Sequence, residues 1–217
     1  MNPNLYIIGG ESTAIEIREV AELYYASKYH RIINVIKDGA ESNLKDYISD
    51  SEFKQILQRG EIGEYIISFI DVKLRHFFLD LLKDFPTMNE ATIIHPTAFI
   101  SPSASIGNGT YLAAFAVISS NAKVGKRCLI NYQSVIGHDV IVGNDCVLNP
   151  GAKLSGHVQI GNDGLIGANS MVYAYVTLGD NVFVDSMTYV RTNIDSNSIC
   201  SSRLDAKLNI FKNRIYC

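Results

Sequence analysis

Residues 136–165 decide the fold: broken at every sixth residue they read IGHDVI, VGNDCV, LNPGAK, LSGHVQ and IGNDGL. Each block opens on an aliphatic residue, namely Ile136, Val142, Leu148, Leu154 and Ile160. The same step carried upstream meets Ile130, Val124, Ile118, Leu112, Ile106, Ile100 and Ile94, and carried downstream meets Ile166, Val172, Leu178, Val184 and Val190. Even at odds of about one in three per step, so long an unbroken run arises by chance only about once in 10⁸ trials. A small residue recurs four positions after the aliphatic one, at Ala98, Ala104, Thr110, Ala116, Ala122, Cys128, Ser134, Ala152 and Ser170. This is the hexapeptide pattern of a parallel β-helix.

Each hexad makes one short strand and one corner. Side chains alternate across a strand, so the aliphatic residue and the small residue before the next one both face inward. Three hexads close a triangular coil, and residues eighteen apart stack directly. At about 4.8 Å per coil, five to six coils make a prism roughly 27 Å tall. Two of the four cysteines, Cys128 and Cys146, are eighteen apart at the inward small position, where they pack as small hydrophobes.

The 217 residues exceed the soft prior for one domain, and the periodicity begins only near residue 94. The division expected is residues 1–90, residues 91–195 for the β-helix, and residues 196–217 as a C-terminal tail. A net charge of −3, without a block of like charges, argues against a nucleic-acid partner, whose footprint is basic. No stretch reaches the roughly 18 apolar residues of a membrane span, and the N-terminus has no secretory pattern. The expected compartment is the cytoplasm.

Residues 1–90 carry a different pattern. Leu5 to Ile8 form an apolar strand running into Gly9-Gly10-Glu11-Ser12, after which Ala14, Ile15, Ile17, Val20, Ala21 and Leu23 recur at helical spacing. A second strand runs from Ile32 to Ile36 and ends in Lys37-Asp38; a third covers Tyr65 to Ile70, followed by a helix through Leu74, Phe77, Phe78, Leu81 and Leu82. Such βα units imply a small parallel sheet of the nucleotide-binding type, with its ligand edge at the strand C-termini. Gly9, Gly10, Glu11, Ser12 and Asp38 stand at that edge. A glycine turn opening a helix can hold a phosphate on backbone N–H groups, although many such turns bind nothing.

The histidines supply chemistry. His138 and Asp139 fall two and three residues after the inward Ile136, at a corner pointing out of the prism. His157 repeats the Asp139 position eighteen residues later, so the two stack about 5 Å apart. A carboxylate beside imidazoles can fix a tautomer and strengthen a base. Two surface histidines near a turn aspartate are the plainer alternative.

The hexads, the entry Ile94-His95-Pro96-Thr97-Ala98, Gly137-His138-Asp139, Gly156-His157-Val158 and the preceding βα module resemble the hexapeptide-repeat sugar O-acyltransferase group. That group includes bacterial N-acetyltransferases of nucleotide-linked 4-amino sugars and sialic acid O-acetyltransferases. The resemblance implies a left-handed β-helix, a homotrimer, and acetyl-CoA as co-substrate, bound without a metal along the groove between neighbouring prisms. It implies His138 as the catalytic base and Asp139 as the acid that orients it. Gly156, His157, Gly167, Ala168, Ser186 and Lys207 are the implied coenzyme contacts, and the N-terminal domain presents the sugar. The activity implied is acetylation of a sugar in polysaccharide synthesis, at the 4-amino group of a nucleotide-linked amino sugar, with O-acetylation of a sialic acid-like sugar as the alternative.

Three positions depart from the group's pattern. Gly9-Gly10-Glu11-Ser12-Thr13-Ala14 replaces Gly-x-x-Gly-His-Gly, Val147 stands where a second histidine can lie, and Arg203-Leu204-Asp205-Ala206-Lys207 keeps only the last two residues of Gly-Val-Pro-Ala-Lys. Arg203, Lys207, Lys212 and Arg214 still leave the tail locally basic. Two other classes stay open: a non-catalytic β-helix scaffold, and a zinc hydratase of the γ-carbonic anhydrase kind. The latter needs three converging histidines, and of five in the chain only His138 and His157 lie at useful height.

Overall fold

The computed structural model describes residues 2–40 and 42–202. The chain divides into two compact units, Met1–Ile93 and Ile94–Cys217.

The first unit is a five-stranded parallel sheet. β1 (Asn4–Ile8), α1 (Thr13–Tyr24), β2 (Ile32–Ile36), β3 (Tyr47–Ser49), α2 (Asp50–Gln58), β4 (Gly63–Ile67), α3 (Val72–Leu82) and β5 (Met88–Glu90) follow in that order. The spatial order is β3-β2-β1-β4-β5, every pairing parallel. Tyr6, Ile8, Ile33 and Val35 on one face pack with Phe53 and Leu57 of α2 and Phe78 and Leu82 of α3. Leu5 and Ile7 alternate to the opposite face, where α1 packs on β1 and β2. Strands covered on both faces read as continuous apolar runs, which is why β1 and β2 are visible in the sequence. The third expected strand is displaced, since β4 is Gly63–Ile67 rather than 65–70. α2 begins with a capping box: the Ser49 hydroxyl accepts from the Glu52 amide, and the Glu52 carboxylate accepts from the Ser49 amide.

The second unit is a left-handed parallel β-helix. One face stacks six two-residue strands from Phe99–Ile100 to Tyr189–Val190, and a second stacks five from Ser105–Ile106 to Thr177–Leu178. The third face runs through Tyr111–Leu112, Val147–Leu148 and Leu165–Ile166 to Ile199–Cys200. Registers advance by eighteen residues, as in Val117↔Val135 and Val135↔Lys153. The aliphatic column Ile118, Ile136, Leu154, Val172, Val190 is buried with its counterparts on the other faces. Cys128 and Cys146 lie in this core, neither in a disulfide, their thiols donating to the carbonyls of Gly143 and Gly161.

Most corners turn through a residue with positive φ, from Phe115 and Asn121 through Asp139 and His157 to Tyr175 and Asn197. Asn and Asp tolerate this left-handed region better than other side chains and fill many of these positions. The glycine ladder Gly107, Gly125, Gly143, Gly161 answers to packing, because a Cβ on Gly125 would stand 2.4 Å from the carbonyl oxygen of Gly143. The expected end of the prism at residue 195 is corrected by the strand Ile199–Cys200, which pairs with Phe183–Val184. Here the period shortens: Phe183 pairs with Ile199, sixteen residues on, so a six-residue step loses the pattern.

Candidate functional site

His138 and Asp139 occupy the corner between strands Val135–Ile136 and Ile141–Val142. The Asp139 Oδ2 lies 2.8 Å from His138 Nδ1, and Asn121, one coil below, donates its Nδ2 to Oδ1 at 3.1 Å. These two hydrogen bonds, that from His138 first, hold the Asp139 carboxyl below the usual carboxylate range. An ionised carboxylate only accepts. The proton of a neutral His138 is therefore assigned to Nδ1, leaving the Nε2 lone pair available to a substrate.

The space beside that nitrogen is made by Gly156, one coil above. A Cβ there would come within 2.5 Å of Nε2 and 2.6 Å of Cε1 of His138. Gly156, expected as a coenzyme contact, has this role in the geometry: it leaves room for the histidine.

His157 also belongs to this cluster. Its Nε2 is 3.9 Å from Asp139 Oδ2, its ring meets that of His138 edge-to-face at 5.1 Å, and it stacks on Tyr175 at 4.7 Å and 9°. Tyr175 was not singled out by sequence; the signal for it was its place eighteen residues after His157. His138, Asp139 and His157 offer ligand atoms within 4.8 Å of one another, a set that could hold a metal ion. A third histidine is missing from the corner, where the positions stacked above and below His138 are Gly156 and Ser120.

Three further coenzyme candidates lie on a different edge of the prism. Gly167 and Ala168 lie at the corner after strand Leu165–Ile166, and Ser186 is on the same edge one coil higher. They form their own stack: the Met187 amide donates to the Ala168 carbonyl, and a Cβ on Gly167 would meet the Ser186 amide at 2.4 Å. Lys207, like Arg203, Lys212 and Arg214, lies outside the described residues. Val147 is buried on the third face.

In the first unit a cavity of about 650 Å³ opens at the C-terminal ends of β1, β2 and β4. Gly9, Gly10, Glu11 and Ser12 line it, as expected, with Lys37 and Asp50 adding charge and Phe69, Leu74 and Phe77 an apolar wall. The strand order reverses between β1 and β4, the place where open α/β sheets bind ligands. Gly9 is required there by packing, since its φ is +136° and a Cβ would collide with Ser68 Oγ. Ser12 precedes α1 at φ 46°, ψ −114° with no side-chain cap, a conformation L-residues seldom adopt. Asp38 is not among the lining residues; its carboxylate accepts the Ser51 hydroxyl and its amide donates to Asp50 at the start of α2.

Residues 121–156 match the family described as bacterial transferase hexapeptide (six repeats), and residues 157–190 match the hexapeptide repeat of succinyl-transferase. Residues 121–190 of the β-helix are thus hexapeptide repeats of the kind these two families carry. No curated protein matches the chain in sequence. Among solved structures, the fold is shared with the acetyltransferase domain of PglB from Neisseria gonorrhoeae FA1090, at 21% identity and a TM-score of 0.82, covering 94% of this chain and 98% of that one. PerB from Caulobacter crescentus, solved in complex with CoA and GDP-perosamine, is 23% identical with a TM-score of 0.81, covering 93% and 95%. WeeI from Acinetobacter baumannii AYE is 18% identical with a TM-score of 0.83, covering 94% and 98%. All three align over both units.

Proposed function

We propose that this protein is an acetyl-CoA-dependent N-acetyltransferase acting on the 4-amino group of a nucleotide-linked amino sugar. The observation that carries the reading is the oriented pair at the prism corner, with Asp139 on Nδ1 of His138, the ring packed on Gly156 and the side chain 58% exposed. Its context supports the substrate class: the likeness to PerB, whose structure holds CoA and GDP-perosamine, and a cavity at the sheet's ligand edge.

The acceptor amine attacks the thioester carbonyl of acetyl-CoA, and His138 Nε2 takes the proton that the nitrogen loses. Asp139 holds the ring and stabilises the imidazolium that forms. Collapse of the tetrahedral intermediate breaks the C–S bond, and the thiolate leaves as CoA after receiving a proton. Direct transfer fits the placement of Cys128 and Cys146, whose buried thiols cannot meet a substrate.

The coenzyme candidates fall on two edges of one prism, Gly156 and His157 on one and Gly167, Ala168 and Ser186 on another. A homotrimer that sets one edge of each prism against a different edge of its neighbour would bring both sets to one groove. The reading places the enzyme in the cytoplasm, in surface-polysaccharide synthesis. Among the described residues no helix is long and apolar enough to cross a membrane.

The experiment is thiol release from acetyl-CoA against UDP-, dTDP- and GDP-linked 4-amino sugars and free sialic acid, with His138→Ala alongside. Turnover with one amino sugar that disappears in the variant is expected. A folded His138→Ala protein with full turnover overturns the mechanism, turnover with sialic acid alone reassigns the acceptor to a hydroxyl, and failure to bind acetyl-CoA at all favours a scaffold.

A further inference from the structure

At the corner of the active pair, four residues spaced eighteen apart form a column: Asn121, Asp139, His157 and Tyr175. All four have positive φ, at 59°, 57°, 61° and 65°. Asn121 and Asp139 are of the type that tolerates this conformation, as are Asp145, Asp163, Asn169, Asn181 and Asn197 at other corners. Histidine is enriched there as well, whereas Tyr175, like Phe115, Arg127, Gln133 and Met187 at other corners, is not of that type. Tyr175 is 74% exposed, so burial does not explain a ring there.

The contacts do. Tyr175 lies parallel to His157 at 4.7 Å, and His157 touches both members of the active pair, its ring edge on His138 and its Nε2 towards Asp139 Oδ2. That oxygen is the one bonded to His138 Nδ1. The orientation of His157 thus bears on the carboxylate that orients the base, and the flat contact with Tyr175 is what fixes His157 on its outer side.

We infer that Tyr175 is a positioning residue of the acid–base centre, acting through His157 on the Asp139–His138 pair; the inference rests on the acyltransferase reading above. It is the face of the phenol ring that acts, not its hydroxyl. A side chain that stacks equally well preserves the effect, and one without a ring abolishes it.

The test compares Tyr175→Ala and Tyr175→Phe in the full chain with acetyl-CoA and the amino sugar found to respond. Tyr175→Ala is expected to lower kcat about tenfold, part of the 10²- to 10⁴-fold that a positioned base supplies, while the KM for acetyl-CoA changes less than about twofold. Tyr175→Phe is expected to match the native enzyme. A proton NMR arm needs no turnover: the His157 ring resonance displaced by the stacked phenol should return towards its unstacked position in Tyr175→Ala and stay displaced in Tyr175→Phe. Unchanged kcat in Tyr175→Ala overturns the inference, as does a raised KM with kcat intact, which would make Tyr175 a coenzyme contact. A Tyr175→Phe enzyme as impaired as Tyr175→Ala overturns it in favour of the hydroxyl, and an unmoved His157 resonance overturns the stack. The His138→Ala control separates the levels: full turnover there removes the acid–base reading itself, whereas lost turnover there with an indifferent Tyr175 removes only this inference.

Discussion

Replacing Gly156 by alanine adds one methyl group, and the structure says where it goes. The new Cβ would stand 2.5 Å from Nε2 of His138, whereas ordinary contact begins at 3.4 Å, so the ring tip must retreat by about 0.9 Å. The obstacle is the end of a side chain that is 58% exposed, and it can swing outward with little resistance. Gly156 is not among the residues with positive φ, so alanine fits its backbone and, by restricting the unfolded chain, adds about 0.4–1 kcal/mol of stability. The variant should fold with an unchanged or slightly raised Tm while its base is misplaced. A displacement of about 1 Å at the reacting centre costs on the order of 10²-fold, or about 2.7 kcal/mol of transition-state stabilisation. The assay is single-turnover thiol release with bound amino sugar, paired with a thermal melt. Native kcat in Gly156→Ala would refute the placement of His138 Nε2 beside this gap, and a Tm that falls together with activity would show that Gly156 serves the packing of the coils instead.

Asp139→Asn, which the left-handed corner accepts, should lower kcat by two decades or more by replacing the acceptor-only carboxylate with an amide that can donate to Nδ1 and favour the other His138 tautomer. Its stability effect has a defined sign: because hydrogen bonds lower the Asp139 carboxyl in the folded state, the contribution is complete above the unfolded value near about 4 and is lost as pH falls through the lowered one. The Tm difference between native protein and variant should be present at about pH 5–8 and shrink as pH falls below the unfolded value near about 4, and a difference that grows on acidification would contradict the assignment. Gly125→Ala puts a Cβ 2.4 Å from the Gly143 carbonyl oxygen, an obstacle of main chain; it should cost about 1–3 kcal/mol by forcing coils apart, read as a lower Tm with turnover retained at permissive temperature. Cys146→Ala should retain turnover, and trapping of acetyl on that residue by mass spectrometry would contradict direct transfer. Turnover that survives chelation, without stoichiometric zinc in the purified protein, is expected; its loss on chelation and return with zinc would move His138, Asp139 and His157 to the metal reading.

How much was legible in the sequence varied with the range of the interactions. Stacked hexads repeat one local environment, so Ile136, Leu154 and Val172 declare their inward face by spacing alone. β1 and β2 were legible as apolar runs, whereas β3 and β5 are three residues each and carry too little pattern to register. The Ser49–Glu52 capping box announces α2 in residue types that also occur in loops. Asp38 looked like a ligand-edge residue because it follows β2, but its partner Ser51 comes from the next element, and sequence does not say which neighbour a carboxylate will choose.

The sequence by itself determined the prism, the eighteen-residue stacking and the outward placement of His138, Asp139 and His157, because these follow from a period that local sterics convert directly into space. Tertiary structure decided the rest of the site. It turned the His157 ring edge-on to His138 and flat onto Tyr175, set the His138 ring against Gly156, placed Gly167, Ala168 and Ser186 on another edge, and closed the last coil with a sixteen-residue step. These are distances and ring orientations between residues from different coils, and a repeat fixes which residues are neighbours without fixing how their side chains meet.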